Sequence, residues 1–247
     1  MAFAAMGEAA GQRGADGPGP RGPGRRAVVE QASGAAAIQP LLARLWASGF
    51  FKRNEAVLRE IRNNTYSFFD KNSPKPPEGV KGLGCFSSGP DGRGTIYLRK
   101  DLLARFEVGL EGVEIYPEGT GRAMPVLIHE ICHDFWANIL DEGERASFTR
   151  EGVEFMEEYR RAQTAEDRRL FLARAGDDIT DPATLRSYAG IDLIAATFPP
   201  RSMRGHEFFA WLAERLFTTK ARIPNRLGKY YTCILDGAAL DPGRSRD

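Results

Sequence analysis

The sequence predicts an α+β fold, with a small sheet beside one fully buried helix and a mainly helical C-terminal lobe. Three observations carry this expectation. Leu83 to Leu98 reads as a β-hairpin, Pro125 to Leu140 is apolar around almost its whole helical circumference, and most later segments repeat apolar residues every three to four positions.

At 247 residues, 42% hydrophobic and 27% charged, the chain can bury one sizeable core without disulfides or structural metals. Its 34 basic and 33 acidic residues leave a formal net charge of +1, which gives no electrostatic reason to expect nucleic acid as a partner. The three cysteines, Cys85, Cys132 and Cys233, lack CxxC spacing, so neither a disulfide framework nor a cysteine zinc site is indicated. No apolar run approaches the roughly 18 residues a membrane span needs. No basic residue precedes the short apolar stretch Met1 to Met6, and Glu8 follows it closely, unlike a secretory signal. A cytoplasmic protein without a membrane partner is expected, and its oligomeric state is left open.

Residues 1–36 are rich in Gly, Pro and Arg and bury too little apolar surface to offset their chain entropy, so a disordered tail is expected there. The folded domain is expected over 37–236, with 237–247 as a flexible C-terminal tail. Leu41, Leu42, Leu45 and Trp46, then Val57, Leu58 and Ile61, mark two helices before a break at Ser73 to Pro77. Leu83, Cys85 and Phe86 lead through Gly89 to Gly94 into Thr95 to Leu98, the expected hairpin. A short helix over 101–106 and a strand over 113–116 precede the buried helix, whose first turn suits Pro125. Further helices are expected over 144–163, 165–175, 203–220 and 225–235.

The buried helix contains His129-Glu130-Ile131-Cys132-His133, an HExxH arrangement. Four residues advance a helix by about 400°, so the two imidazoles share a face and can hold one metal ion, with zinc the natural guest. Glu130 lies about 100° round from His129, where its carboxylate can act as general base towards zinc-bound water. The competing reading is a packed helix whose polar groups are satisfied by hydrogen bonds. Against it, burying two imidazoles and a carboxylate without partners is costly, whereas a metal and its water satisfy all three. A catalytic zinc needs a third protein ligand. A metzincin ending is excluded, because Trp136 and Ile139 stand where its glycine and third histidine belong. His206 is the one histidine left, so a carboxylate is expected from Gly152 to Glu158 or from Gly205 to Glu214.

HEICH together with Glu207-Phe208-Phe209-Ala210 resembles the gluzincin metallopeptidases, above all the anthrax lethal factor and Pro-Pro endopeptidase group. The resemblance spans these two short motifs. It implies a zincin-like metallopeptidase domain that hydrolyses peptide bonds in a peptide or protein substrate. One Zn2+ per chain would be held by His129, His133 and Glu207, with Glu130 as the base. Those relatives carry a tyrosine about two helical turns before the ligand glutamate, where this chain has Phe198 to Arg201. They usually carry an acidic residue after the alanine, where this chain has Trp211.

The residues themselves also favour Glu207, since the small Ala210 one turn on lets its helix approach the HExxH helix closely. Glu214, seven residues on, falls under Glu207 and is read either as an acceptor for a ligand imidazole or as a solvated side chain. Glu154 and Glu157, beside Glu151 and Glu158, read as an exposed acidic face. His206 and Tyr188 are taken as donors to the developing oxyanion, ahead of Arg201 and Arg204. Cys132 is assigned to the core. The Thr95 to Leu98 strand is either plain hairpin or, as the resemblance implies, an edge strand that binds extended substrate. A catalytically silent regulatory or binding module on the same fold is the rival function, and the intact Glu130 speaks against it.

Overall fold

The computed structural model describes residues 38–69, 83–89, 93–102, 123–162, 164–174, 176–180, 191, 204–219 and 223–240. Two helices open it, α1 over 38–47 and α2 over Glu55–Asn63. The side chain of Asn54 caps α2 by accepting the Val57 N–H at 2.9 Å, which satisfies one of the orphan donors of the first turn. Asn64 then adopts extended backbone and the chain passes directly into β1, Thr65–Phe69. This strand was not expected from the sequence.

The hairpin forms as expected from β2, Gly84–Ser88, and β3, Gly94–Arg99, which pair antiparallel with Phe86 opposite Ile96. β1 joins the other side of β3 in parallel, so the sheet order is β1-β3-β2. The candidate edge strand Thr95 to Leu98 is therefore the central strand, and its backbone groups are engaged on both sides. The edge beside the HExxH helix is β2. Residues 100–102 begin a helical turn, while the rest of that expected helix, the strand over 113–116 and the tail over 1–36 lie outside the described residues.

The HExxH helix is α3, Ala123–Asn138, with its apolar side chains buried from Ala123 through Phe135. Next comes α4, Glu142–Arg161, opened by a capping box in which Asp141 and Glu144 bond reciprocally to each other's backbone N–H. Arg145, in the first turn of α4, donates to the carbonyls of Trp136 and Ala137 and closes the C-terminus of α3. α5 is Ala165–Arg174 and α6 is Gly205–Thr219.

The expected helix over 225–235 is shorter: α7 spans Asn225–Gly228 and a 3-10 turn covers Lys229–Tyr231. Leu235 then bridges to Phe51, and Asp236 N–H donates to the Phe50 carbonyl at 3.0 Å, so strand-like pairing stops the helix. Gly237–Leu240 forms a further helical turn, α8, and Leu240 packs on the core, so the ordered chain runs past the boundary expected at residue 236. Among the described residues no helix is long and apolar enough to cross a membrane.

The core is strongly aromatic. Phe148, fully buried, meets Trp136, Phe208, Phe209, Tyr230 and Tyr231 at ring separations of 5.3–6.1 Å. Tyr231 stacks on Phe209 at 4.3 Å and donates its hydroxyl to the Phe209 carbonyl at 2.8 Å. These rings fix α4 and the C-terminal segment against α6, the helix that carries Glu207. Phe148→Ala should therefore lower the unfolding free energy by about 3–5 kcal/mol in urea denaturation, as expected for truncating a buried aromatic. A loss below about 1 kcal/mol would show that this cluster does not hold the helices together.

Candidate metal centre

The centre forms where α6 crosses α3. Gly205 starts α6 against α4, where an added Cβ would lie 2.1 Å from Thr149 Oγ1 and 3.0 Å from the Trp136 ring. Only a residue without a side chain permits that approach. Ala210 and Ala213 are fully buried, which keeps α6 close to α3 along its length.

The close approach brings the donors together. His129 Nε2 and His133 Nε2 face each other at 3.1 Å, and Glu207 Oε2 lies 3.5 Å from the first and 3.8 Å from the second. No other trio of His, Cys, Asp or Glu among the described residues converges in this way. Tetrahedral zinc with ligand bonds of about 2.0–2.2 Å separates its ligand atoms by about 3.3–3.6 Å. The three observed distances bracket that spacing, and two imidazoles and a carboxylate are a donor set zinc accepts, so the residues fit the ion.

Electrostatics fit as well. In the protein alone, burial opposes charge on His129, but Glu207 and Glu214 overcome it and raise its pKa to about 10. Burial and the charge of His129 together push His133 down to about 3, which leaves its ring neutral with a lone pair to offer. Burial would raise Glu207, yet its bond to His129 and the nearby His133 hold it at about 2, so it stays ionised. The Glu214 carboxylate lies 3.2 Å from His129 Nδ1, off the line of a well-formed hydrogen bond. Trp211 sets its ring against His129 at 5.6 Å, and Arg215 lies over the Trp211 ring at 5.2 Å.

Glu130 points from α3 towards β2, is only 5% exposed, and has its pKa raised to about 7 by burial, with His129 opposing the rise. Its carboxylate accepts the backbone N–H of Phe86. Gly84 makes this possible, because a Cβ there would lie 2.7 Å from Glu130 Oε1 and 2.8 Å from Val126. In the hairpin Leu83 accepts from Arg99 and Gly89 donates to Arg93, so the odd-numbered residues of β2 bond to β3. The even-numbered residues Gly84, Phe86 and Ser88 therefore turn their backbone groups to the open edge, towards the centre.

The other expected residues divide clearly. His206 sits beside the centre, with Nε2 3.6 Å from Glu207 Oε1 and its ring 5.3 Å from that of His133. Burial lowers its pKa, so the ring is neutral and still has one N–H to donate. Tyr188 and Arg201 lie outside the described residues, and Arg204 is exposed at the start of α6. Glu154 and Glu158 pair with Arg226, Glu151 pairs with Lys229, and Glu157 faces Arg161 across 3.8 Å on an exposed helix face, so the acidic face of α4 is not a ligand source. Cys132 is buried in the core as expected. Sequence reasoning missed the roles of Gly84 and the Phe86 N–H; a glycine opening a strand next to an HExxH helix was the available signal. It also missed Asn64, a buried side chain that donates to Asp134 of α3 at 2.8 Å.

Comparison with models of protein families, with curated proteins and with solved structures found no match to this chain.

Two outcomes follow for metal binding. Under mild chelation Glu207→Ala should lose zinc far more readily than Glu154→Ala, which removes only an exposed ion pair. Equal retention by both variants would remove Glu207 from the centre. Because the ion must displace the proton that the two carboxylates hold on His129, apparent zinc affinity should rise about tenfold per pH unit from about pH 6 to 8. An affinity independent of pH over that window would contradict the protonated His129.

Proposed function

We propose that the chain is a zinc-dependent metallopeptidase that hydrolyses peptide bonds in peptide or protein substrates, on a zincin-like domain. The observation that carries this reading is the convergence of His129, His133 and Glu207 beside a buried Glu130 and an open strand edge. His129, His133 and Glu207 would hold the ion. Zinc bound there would supply Lewis acidity, polarising a carbonyl and lowering the pKa of a water.

The remaining work falls to the chain. The outward backbone groups of β2 other than the Phe86 N–H, which Glu130 engages, suit an extended peptide, which adds to a strand edge through main-chain hydrogen bonds. Glu130, with a pKa near neutrality, accepts a proton from the attacking water as the C–O bond forms, then passes it to the amine nitrogen as the C–N bond breaks. The N–H of Phe86 keeps this carboxylate aimed from the strand that would hold the substrate, which couples position of base and peptide. His206, partly exposed above His133, is placed to donate its N–H to an oxyanion at the attacked carbon. Tyr188 remains the second candidate for that task from the sequence.

Glu130→Gln separates chemistry from metal binding. It should retain zinc like the parent and lose cleavage of a random peptide library by at least about 100-fold, the usual lower scale for a general base. Undiminished cleavage would remove the mechanism, and a parent that binds zinc without cleaving any library member would favour a silent binding module.

A further inference from the structure

We infer that Glu214 is a positioning residue for the metal centre: its carboxylate accepts the Nδ1–H of His129 and so fixes Nε2 as the nitrogen that faces the ion. The inference rests on the zinc reading above and names a residue that reading does not need. His129 Nδ1 is buried without a well-formed hydrogen bond, and Glu214 Oε2 lies 3.2 Å from it. An imidazole that gives one nitrogen to a metal keeps its proton on the other, and a buried N–H without an acceptor is costly.

The helix explains why this residue serves. Seven residues advance α6 by about 700°, so Glu214 lies within about 20° of Glu207 and two turns further along. One helix thus presents a carboxylate to each nitrogen of the same ring, Glu207 at 3.5 Å from Nε2 and Glu214 at 3.2 Å from Nδ1. Between them Trp211 lays its ring at 84° to the imidazole, which restricts rotation of His129 about its own side chain. Only 16% of the Glu214 side chain is exposed, so it is held at the centre and not in solvent. A carboxylate in this position orients the ring and raises its basicity, and its removal typically costs 10–100-fold in metal affinity.

The test is zinc competition against a chromophoric chelator on the full chain, with far-UV circular dichroism of each variant and the visible absorption of the cobalt(II) form. Glu214→Ala should weaken zinc binding by about 10–100-fold and shift the cobalt bands, with the helical signal of the parent. Glu214→Gln keeps the shape and a neutral acceptor, so its affinity should fall between those of the parent and Glu214→Ala. Glu157→Ala, on an exposed face, should match the parent. If the parent binds zinc and Glu214→Ala binds it equally well, the inference falls while the zinc reading stands. Affinity lost together with helicity in both Glu214 variants would assign the residue to packing and overturn it. If the parent and His133→Ala are alike in taking up no zinc, the zinc reading itself fails and the inference with it.

Discussion

The close contact between α3 and α6 is the constraint on which the rest of the structure depends. Ligands from one HExxH helix are too few for a catalytic zinc, so the third must come from another element held within a few tenths of an ångström. Here that precision comes from small residues. Gly205 lets α6 begin against Thr149 and Trp136, and Ala210 and Ala213 leave no side chain to wedge the helices apart. The aromatic cluster around Phe148 then locks α4, α6 and the C-terminal segment together, so the position of Glu207 is set by packing far larger than the centre itself.

Electrostatics makes the same arrangement costly without an ion. Two imidazoles and the carboxylates of Glu130, Glu207 and Glu214 are gathered in a largely buried volume, and in the protein alone one proton on His129 must compensate two of those carboxylates. A divalent cation held by His129, His133 and Glu207 would take the place of that proton. The contrast between the ring pair is informative: His129 is gripped at both nitrogens, whereas His133 is neutral. Burial raises the pKa of Glu130 and the nearby His129 opposes the rise, while its bond to the Phe86 N–H ties this carboxylate to the strand edge at a close approach that Gly84 permits.

Much of this was legible in the sequence because helical periodicity and the HExxH spacing are local signals. The all-round apolar α3, the hairpin and the helices α4 to α6 appear within a few residues of their expected bounds. The alignment of Glu214 with Glu207 also followed from helical arithmetic alone. What failed was non-local. β1 consists of five residues between a helix and a proline-rich break, too short for alternation to stand out, and it becomes a strand by pairing with β3. Without β1 the strand Thr95 to Leu98 could be read as an edge, an alternative that its pairing on both sides removes. The helix expected over 225–235 was cut short by pairing with Phe51, about 180 residues earlier, which no local window contains. His206, singled out from the sequence as a donor near the site, lies with its ring 5.3 Å from that of His133 at the start of α6.

The central claim is a zinc ion held by two histidines and a glutamate, and X-ray absorption at the zinc edge of the zinc-loaded full chain tests it most directly. The account predicts nitrogen and oxygen ligands at about 2.0–2.2 Å, outer-shell scattering from two imidazoles, and no sulfur at about 2.3 Å. A sulfur shell, which only a cysteine such as Cys85 could supply, or scattering from fewer than two imidazoles, would contradict it.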